Sequence, residues 1–170
     1  MASGNSLITF YARDNEPPTT ATEFATPGSR AGAAGQLIEV LLFDDTAADE
    51  KADFGGVMPL HYAGTTGITV TIGYMMTTAT TGTVTWSVAF KSATDDVDDM
   101  DTKAFAAANT ISPTVPTAAG EKGYEDVMFT DGADMDSVAA GEYFRMRLMR
   151  TDAAAATGDA QFVFVAIKET

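Results

Sequence analysis

The acids, one histidine and a run of arginines are the groups in this sequence with reactive chemistry, and their spacing sorts them. A charge relay needs a base beside a nucleophile, and His61 is the only histidine in 170 residues. No neighbouring serine has a nucleophile-elbow setting, and a place beside Pro59 and Tyr62 at a strand end predicts a structural or exposed side chain. With no cysteine, disulfides, thiolate chemistry and cysteine-based zinc are excluded. Glycoside hydrolysis needs only two well-spaced carboxylates. Glu39 lies within strand text and Glu125 and Glu142 near strand ends, but no Glu-x-Asp-x-x-Glu pattern joins them. The 95–101 run, Asp-Asp-Val-Asp-Asp-Met-Asp, offers oxygen ligands. It lacks the mid-loop glycine and the closing bidentate glutamate of an EF-hand. Helix capping and solvation account for it, with a calcium site shared with another loop as the alternative.

The arginines are more informative. Tyr143, Arg145, Arg147 and Met149 alternate with Phe144, Met146 and Leu148, and Arg145, Arg147 and Arg150 are three of the ten basic residues. A face of tyrosine, arginine and methionine has the composition favoured at protein interfaces. Pairing with acids on adjacent strands is the competing use. Trp86 alternates in register with Val84 and Val88, which assigns it to the core rather than to a sugar platform.

These residues need strands to position them. The most regular text is 67–91, where Ile68, Val70, Ile72, Tyr74 and Met76 alternate with threonines, and Val84, Trp86, Val88 and Phe90 repeat the period. It reads as a long hairpin turning near Gly82. Further strands are predicted at 36–43, 54–58 with a Gly55-Gly56 bend, 110–115, 124–130, 142–150 and 161–168. Aspartates followed by Lys103 and an alanine-rich stretch predict one short helix within 92–109. Before residue 36, only Ser6 to Tyr11 resembles a strand. The rest has two prolines in succession and one bulky apolar side chain, Phe24, so residues 1–35 are expected to form an extended arm that anchors Ile8, Phe10, Tyr11 and Phe24 on a neighbour. Residues 36–170 then form an all-β, two-sheet antiparallel sandwich. A jelly roll is the commonest eight-strand solution; an immunoglobulin-like sandwich is the alternative.

A net charge of −14, from 24 acids against 10 bases, repels phosphate backbones and argues against nucleic-acid partners. No run reaches membrane-spanning length and the start lacks a basic, apolar leader, so a chain made in the cytosol is expected. No cofactor or resident metal is expected.

The strings SLITFYARDNEPPTT, DDVDDMD, FTDGADMDSVAAGEYFRMRLMR and IKET together resemble a family of small all-β structural proteins of tailed bacteriophages. That resemblance implies a non-enzymatic head decoration, or cement, protein in the virion. It implies a homotrimer on the capsid surface, bound to the major capsid protein through the arm and through Tyr143, Arg145 and Arg147. The alternative is a receptor- or carbohydrate-binding module of a tail or fibre. An enzyme built on the sandwich ranks below both.

Overall fold

The computed structural model describes residues 4–20, 23–45, 49–151 and 155–170. Ten strands follow in order: β1 (Ser6–Tyr11), β2 (Thr26–Ala31), β3 (Leu37–Phe43), β4 (Glu50–Val57), β5 (Ile68–Met76), β6 (Thr85–Ala93), β7 (Asn109–Ile111), β8 (Gly123–Phe129), β9 (Tyr143–Thr151) and β10 (Ala160–Glu169). They form two antiparallel sheets. The first runs β2-β3-β10-β5-β8, with β1 also on β10, and the second runs β4-β9-β6-β7.

The pairing is nested. β6 pairs with β7, β5 with β8, β4 with β9 and β3 with β10, as if one long hairpin were folded at the β6–β7 turn and wrapped. Cross-pairs β5–β10 and β6–β9 join the wrap into two sheets. This strand order is a jelly roll. The expected all-β sandwich is therefore present, and its eight central strands lie close to their predicted positions.

The stretch 67–91 is not a hairpin. β5 belongs to the first sheet and β6 to the second, so the connection between them crosses the sandwich. The apolar sides of both strands face each other across the core, where Tyr74 and Trp86 meet edge to face at 5.5 Å. Trp86 is fully buried, as expected, and Phe43 packs edge-on to it at 5.2 Å. Alternation shows that a strand has a dry side; it does not say whether its sequence neighbour lies beside it or opposite.

The described residues of 1–35 do not form a projecting arm. β1 hydrogen-bonds along β10, sharing one edge of that strand with β3, while a bulge between Phe162 and Phe164 marks the change of partner. Phe10 is buried in this chain's own core, stacked on Phe54 at 5.5 Å and edge-on to Phe144 at 6.3 Å. Ile8 packs against the same cluster. Phe24 is half-buried and bridges to Lys51 of β4. Only Tyr11 of the four expected anchors is largely exposed. Pro27 is tolerated in β2 because that strand is a sheet edge.

No helix forms within 92–109, which runs through turns instead. Asp98 accepts the Thr94 amide and an Nζ–H of Lys103, while Asp99 accepts the Asp101 amide. Short aspartate side chains that bond their own backbone compete with the helical ladder, which explains the outcome. Nor do Gly55 and Gly56 bend β4. The Phe10 ring lies 2.8 Å from where a Gly56 Cβ would stand, and the Tyr143 hydroxyl lies 2.6 Å from the corresponding point on Gly55. Both glycines make room for neighbours.

Candidate binding cleft

Three strands of the second sheet place charged groups on its outer face. Asp53 of β4 is directly opposite Arg147 of β9, and Gly55 is opposite Arg145. On the other side of β9, Lys91 of β6 is opposite Arg145 and Ala89 opposite Arg147. The alternation of β9 that buries Phe144, Met146 and Leu148 thus turns Arg145 and Arg147 outward. With Pro17, Pro18, Thr19, Asp101 and Phe105 these side chains line a cleft of about 360 Å³.

The floor is held by ion pairs. Arg147 donates from Nε and from an Nη to the two oxygens of Asp53, both at 2.7 Å, and Asp53 is almost completely buried. This bidentate arrangement fixes both side chains, and the carboxylate beside it raises the Arg147 pKa. Arg145 lies 3.2 Å from the exposed carboxylate of Glu16 and 3.8 Å from Asp53. Phe105 covers the pair from the 92–109 loop, with the Arg147 guanidinium 4.4 Å and the Lys91 ammonium 5.3 Å from its ring centre. These are cation–π distances. Lys91 is buried and donates to the Met100 carbonyl at 3.1 Å. Burial, with Arg145 and Arg147 nearby, lowers its pKa.

The sequence singled out Tyr143, Arg145 and Arg147, and the structure brings the two arginines together here with Tyr143 at the end of the same face. Arg150 points the other way. It is buried and donates to the Phe43, Gly158 and Ala156 carbonyls, each at 2.9 Å, so it pins the β9–β10 connection to β3. Asp53, Lys91 and Phe105 were not singled out as a site, because only strand register and a loop excursion unite them with the arginines. The signal that hinted at them was the expectation of cross-strand acids.

The carboxylates weighed for hydrolysis are scattered. Glu39 on β3 and Glu125 on β8 are separated by two strands, which puts them roughly 14 Å apart at strand spacing. That exceeds the separation used by glycosidases. Glu142 accepts the Ala139 amide at 2.9 Å. His61 is exposed, with Nε2 3.4 Å from the Ser6 carbonyl. In the 95–101 run, Asp98 and Asp99 are engaged as described. Asp44, Asp45 and Asp159 can bring one oxygen each within 4.8 Å of one another, a set able to hold a cation. The buried Arg150 guanidinium already opposes their charge.

A larger hollow of about 600 Å³ lies where β10 changes partner, lined by Tyr11, Arg13, Leu37, Glu39 and Val163 among others. Its charged pair, Arg13 and Glu39, is 3.8 Å apart with both side chains about two-thirds exposed. Such side chains are not preorganised, whereas those of the smaller cleft are braced on the sheet.

No protein-family model matches the chain, and no curated protein matches it. Among solved structures, the chain is similar to the CBM36-1 domain of a multidomain xylanase from the hindgut metagenome of Trinervitermes trinervoides, at 7% identity and a TM-score of 0.49 over 96% of this chain and 98% of that one. It is similar to the mannan-recognising carbohydrate-binding module TmCBM27, at 8% identity and a TM-score of 0.49 over 99% and 100% of the two chains. It is also similar to the CBM22-1 xylan-binding domain of Xyn10C from Paenibacillus barcinonensis, at 12% identity and a TM-score of 0.47 over 99% and 97%. At these identities and scores the likeness carries no function across, and the jelly-roll assignment stands on the strand order of this chain.

Proposed function

We propose that this protein is a non-catalytic glycan-binding module whose ligand lies in the cleft over Asp53, Lys91, Arg145 and Arg147. A jelly roll hosts many functions, so the cleft and not the fold must support the reading. The observation that carries it is the bidentate Asp53–Arg147 pair held rigid on adjacent strands beneath Phe105. Of the five N–H donors of a guanidinium, Arg147 uses two on Asp53, and the carboxylate keeps lone pairs for further donors. With Asp53 buried beneath, the donors open to a ligand's ring hydroxyls are those of Arg147 and Arg145, whose side chains are each about a quarter exposed. The aromatic ring and the two prolines supply apolar surface for a sugar's C–H face.

Affinity electrophoresis through gels containing xylan, mannan, laminarin, alginate, polygalacturonate or carrageenan tests the reading. At least one polysaccharide retards the protein, Phe105→Ala abolishes the retardation, and Tyr124→Ala on the outer side of β8 leaves it intact. Migration unchanged in every gel, or retardation indifferent to Phe105→Ala, rejects the cleft.

The head-decoration reading keeps one structural support. Val57 and Tyr143, directly opposite each other at the end of β4–β9, and Leu60, packed near Gly141, form an exposed apolar trio. A trimer in solution would favour it, and a monomer mass from sedimentation would leave the trio as ordinary surface.

A further inference from the structure

Resting on the glycan-binding reading, we infer that the ligand is an acidic glycan, and that Arg145 and Lys91 together hold a carboxylate or sulfate of the sugar chain. The floor of the cleft carries three cations, Lys91, Arg145 and Arg147, against one buried carboxylate, Asp53. Arg147 takes both oxygens of that carboxylate at 2.7 Å, leaving Arg145 at 3.8 Å from it. The other acids near Arg145 and Lys91 are at the rim. Glu16 reaches Arg145 at 3.2 Å with half of its side chain in water, and Asp101 is exposed. Glu16 is therefore a partner that an incoming anion displaces at small cost, since exposed pairs of this kind contribute little.

Lys91 makes the stronger case. Its residue is 8% exposed, and among the described residues its ammonium makes one hydrogen bond, to the Met100 carbonyl, and lies over the Phe105 ring, with the Asp53 carboxylate acting on it only through space. Lys91 and Arg145 are direct register partners on β6 and β9. Directly opposed side chains have Cβ atoms about 5 Å apart, so both heads can reach one anion. Like charges placed in this way on a rigid sheet repel each other in the free protein. An anion bridging them replaces that repulsion with charge-assisted hydrogen bonds. Burial and the adjacent arginines already disfavour the charged form of Lys91, and a bound anion reverses this.

The test is calorimetric titration of the full chain with three oligosaccharides of matched length: neutral cello-oligosaccharide, carboxylated oligogalacturonate and sulfated carrageenan oligosaccharide. An acidic ligand binds more tightly than the neutral one, and Arg145→Gln and Lys91→Met each weaken the acidic ligand about tenfold or more, as expected for losing a charged hydrogen bond. Lys122→Gln, at an exposed position outside the cleft, leaves binding unchanged. Preference between carboxylate and sulfate identifies the group held. If Lys91→Met fails to fold, Arg145→Gln on the solvent side decides alone. Equal binding of neutral and acidic ligands, lost in Phe105→Ala but not in Arg145→Gln, overturns the acidic assignment and keeps the glycan-binding reading. Absence of binding to all three, together with unretarded migration in every gel, overturns both.

Discussion

Asp44, Asp45 and Asp159, whose oxygens approach within 4.8 Å, show what net negative charge does at single residues. Burial first, and then Asp44 and Asp45, push the Asp159 pKa above the usual aspartate value, although Arg150 pulls the other way. An acid whose folded pKa is raised binds its proton more tightly in the folded chain. Its protonation stabilises the fold as pH falls, and that stability is lost as pH rises through the folded pKa. Asp159→Asn should therefore raise the melting temperature at pH 7, by about 1–3 °C for a chain of this size. The gain should shrink as the pH falls from 7 through the raised folded pKa, where the wild-type carboxyl is itself neutralised. Thermal scans of both proteins across that range check it, and a gain that does not change with pH would sink the explanation.

At the scale of elements, β1 decides whether the amino-terminal segment belongs to this domain. It shares the edge of β10 with β3, and Phe10 fills space between Phe54 and Phe144. Phe10→Ala should then destabilise the isolated chain by about 3–4 kcal/mol, the usual cost of emptying a buried aromatic site. A urea midpoint unchanged from wild type would restore the arm that the proline-rich text suggested. The sequence made the eight central strands legible because β5, β6 and β9 carry long apolar alternations and β10 a run that is apolar on both faces. It hid β2, because Thr-Pro-Gly-Ser-Arg-Ala has no apolar side to alternate and is a strand only through its pairing with β3. It misled at 92–109, where alanines suggested a helix and aspartates bonded the turns instead. The cleft was half legible. Arg145 and Arg147 stood out by their spacing, but Asp53, Lys91 and Phe105 come from three other places in the chain and meet them only through register.

At the scale of the whole molecule, charge sets up a contest between the cleft and everything around it. The chain carries −14, yet the floor of the cleft presents three cations to one buried carboxylate. Which field an acidic oligosaccharide meets depends on ionic strength. At about 10 mM salt the screening length is roughly 30 Å, so an approaching polyanion feels the net negative charge of the whole protein. At 0.15 M it is about 8 Å, and only the groups lining the cleft remain within reach. The association rate constant for an acidic oligosaccharide should consequently rise between those two conditions, contrary to the fall seen when protein and ligand attract at long range. A neutral oligosaccharide of equal length should show no such rise. Stopped-flow or surface-based kinetics at the two salt concentrations measure this directly. An on-rate for the acidic ligand that falls as salt is added would mean that the cations of the cleft dominate the field far from the surface, and that the acidic remainder does not oppose capture.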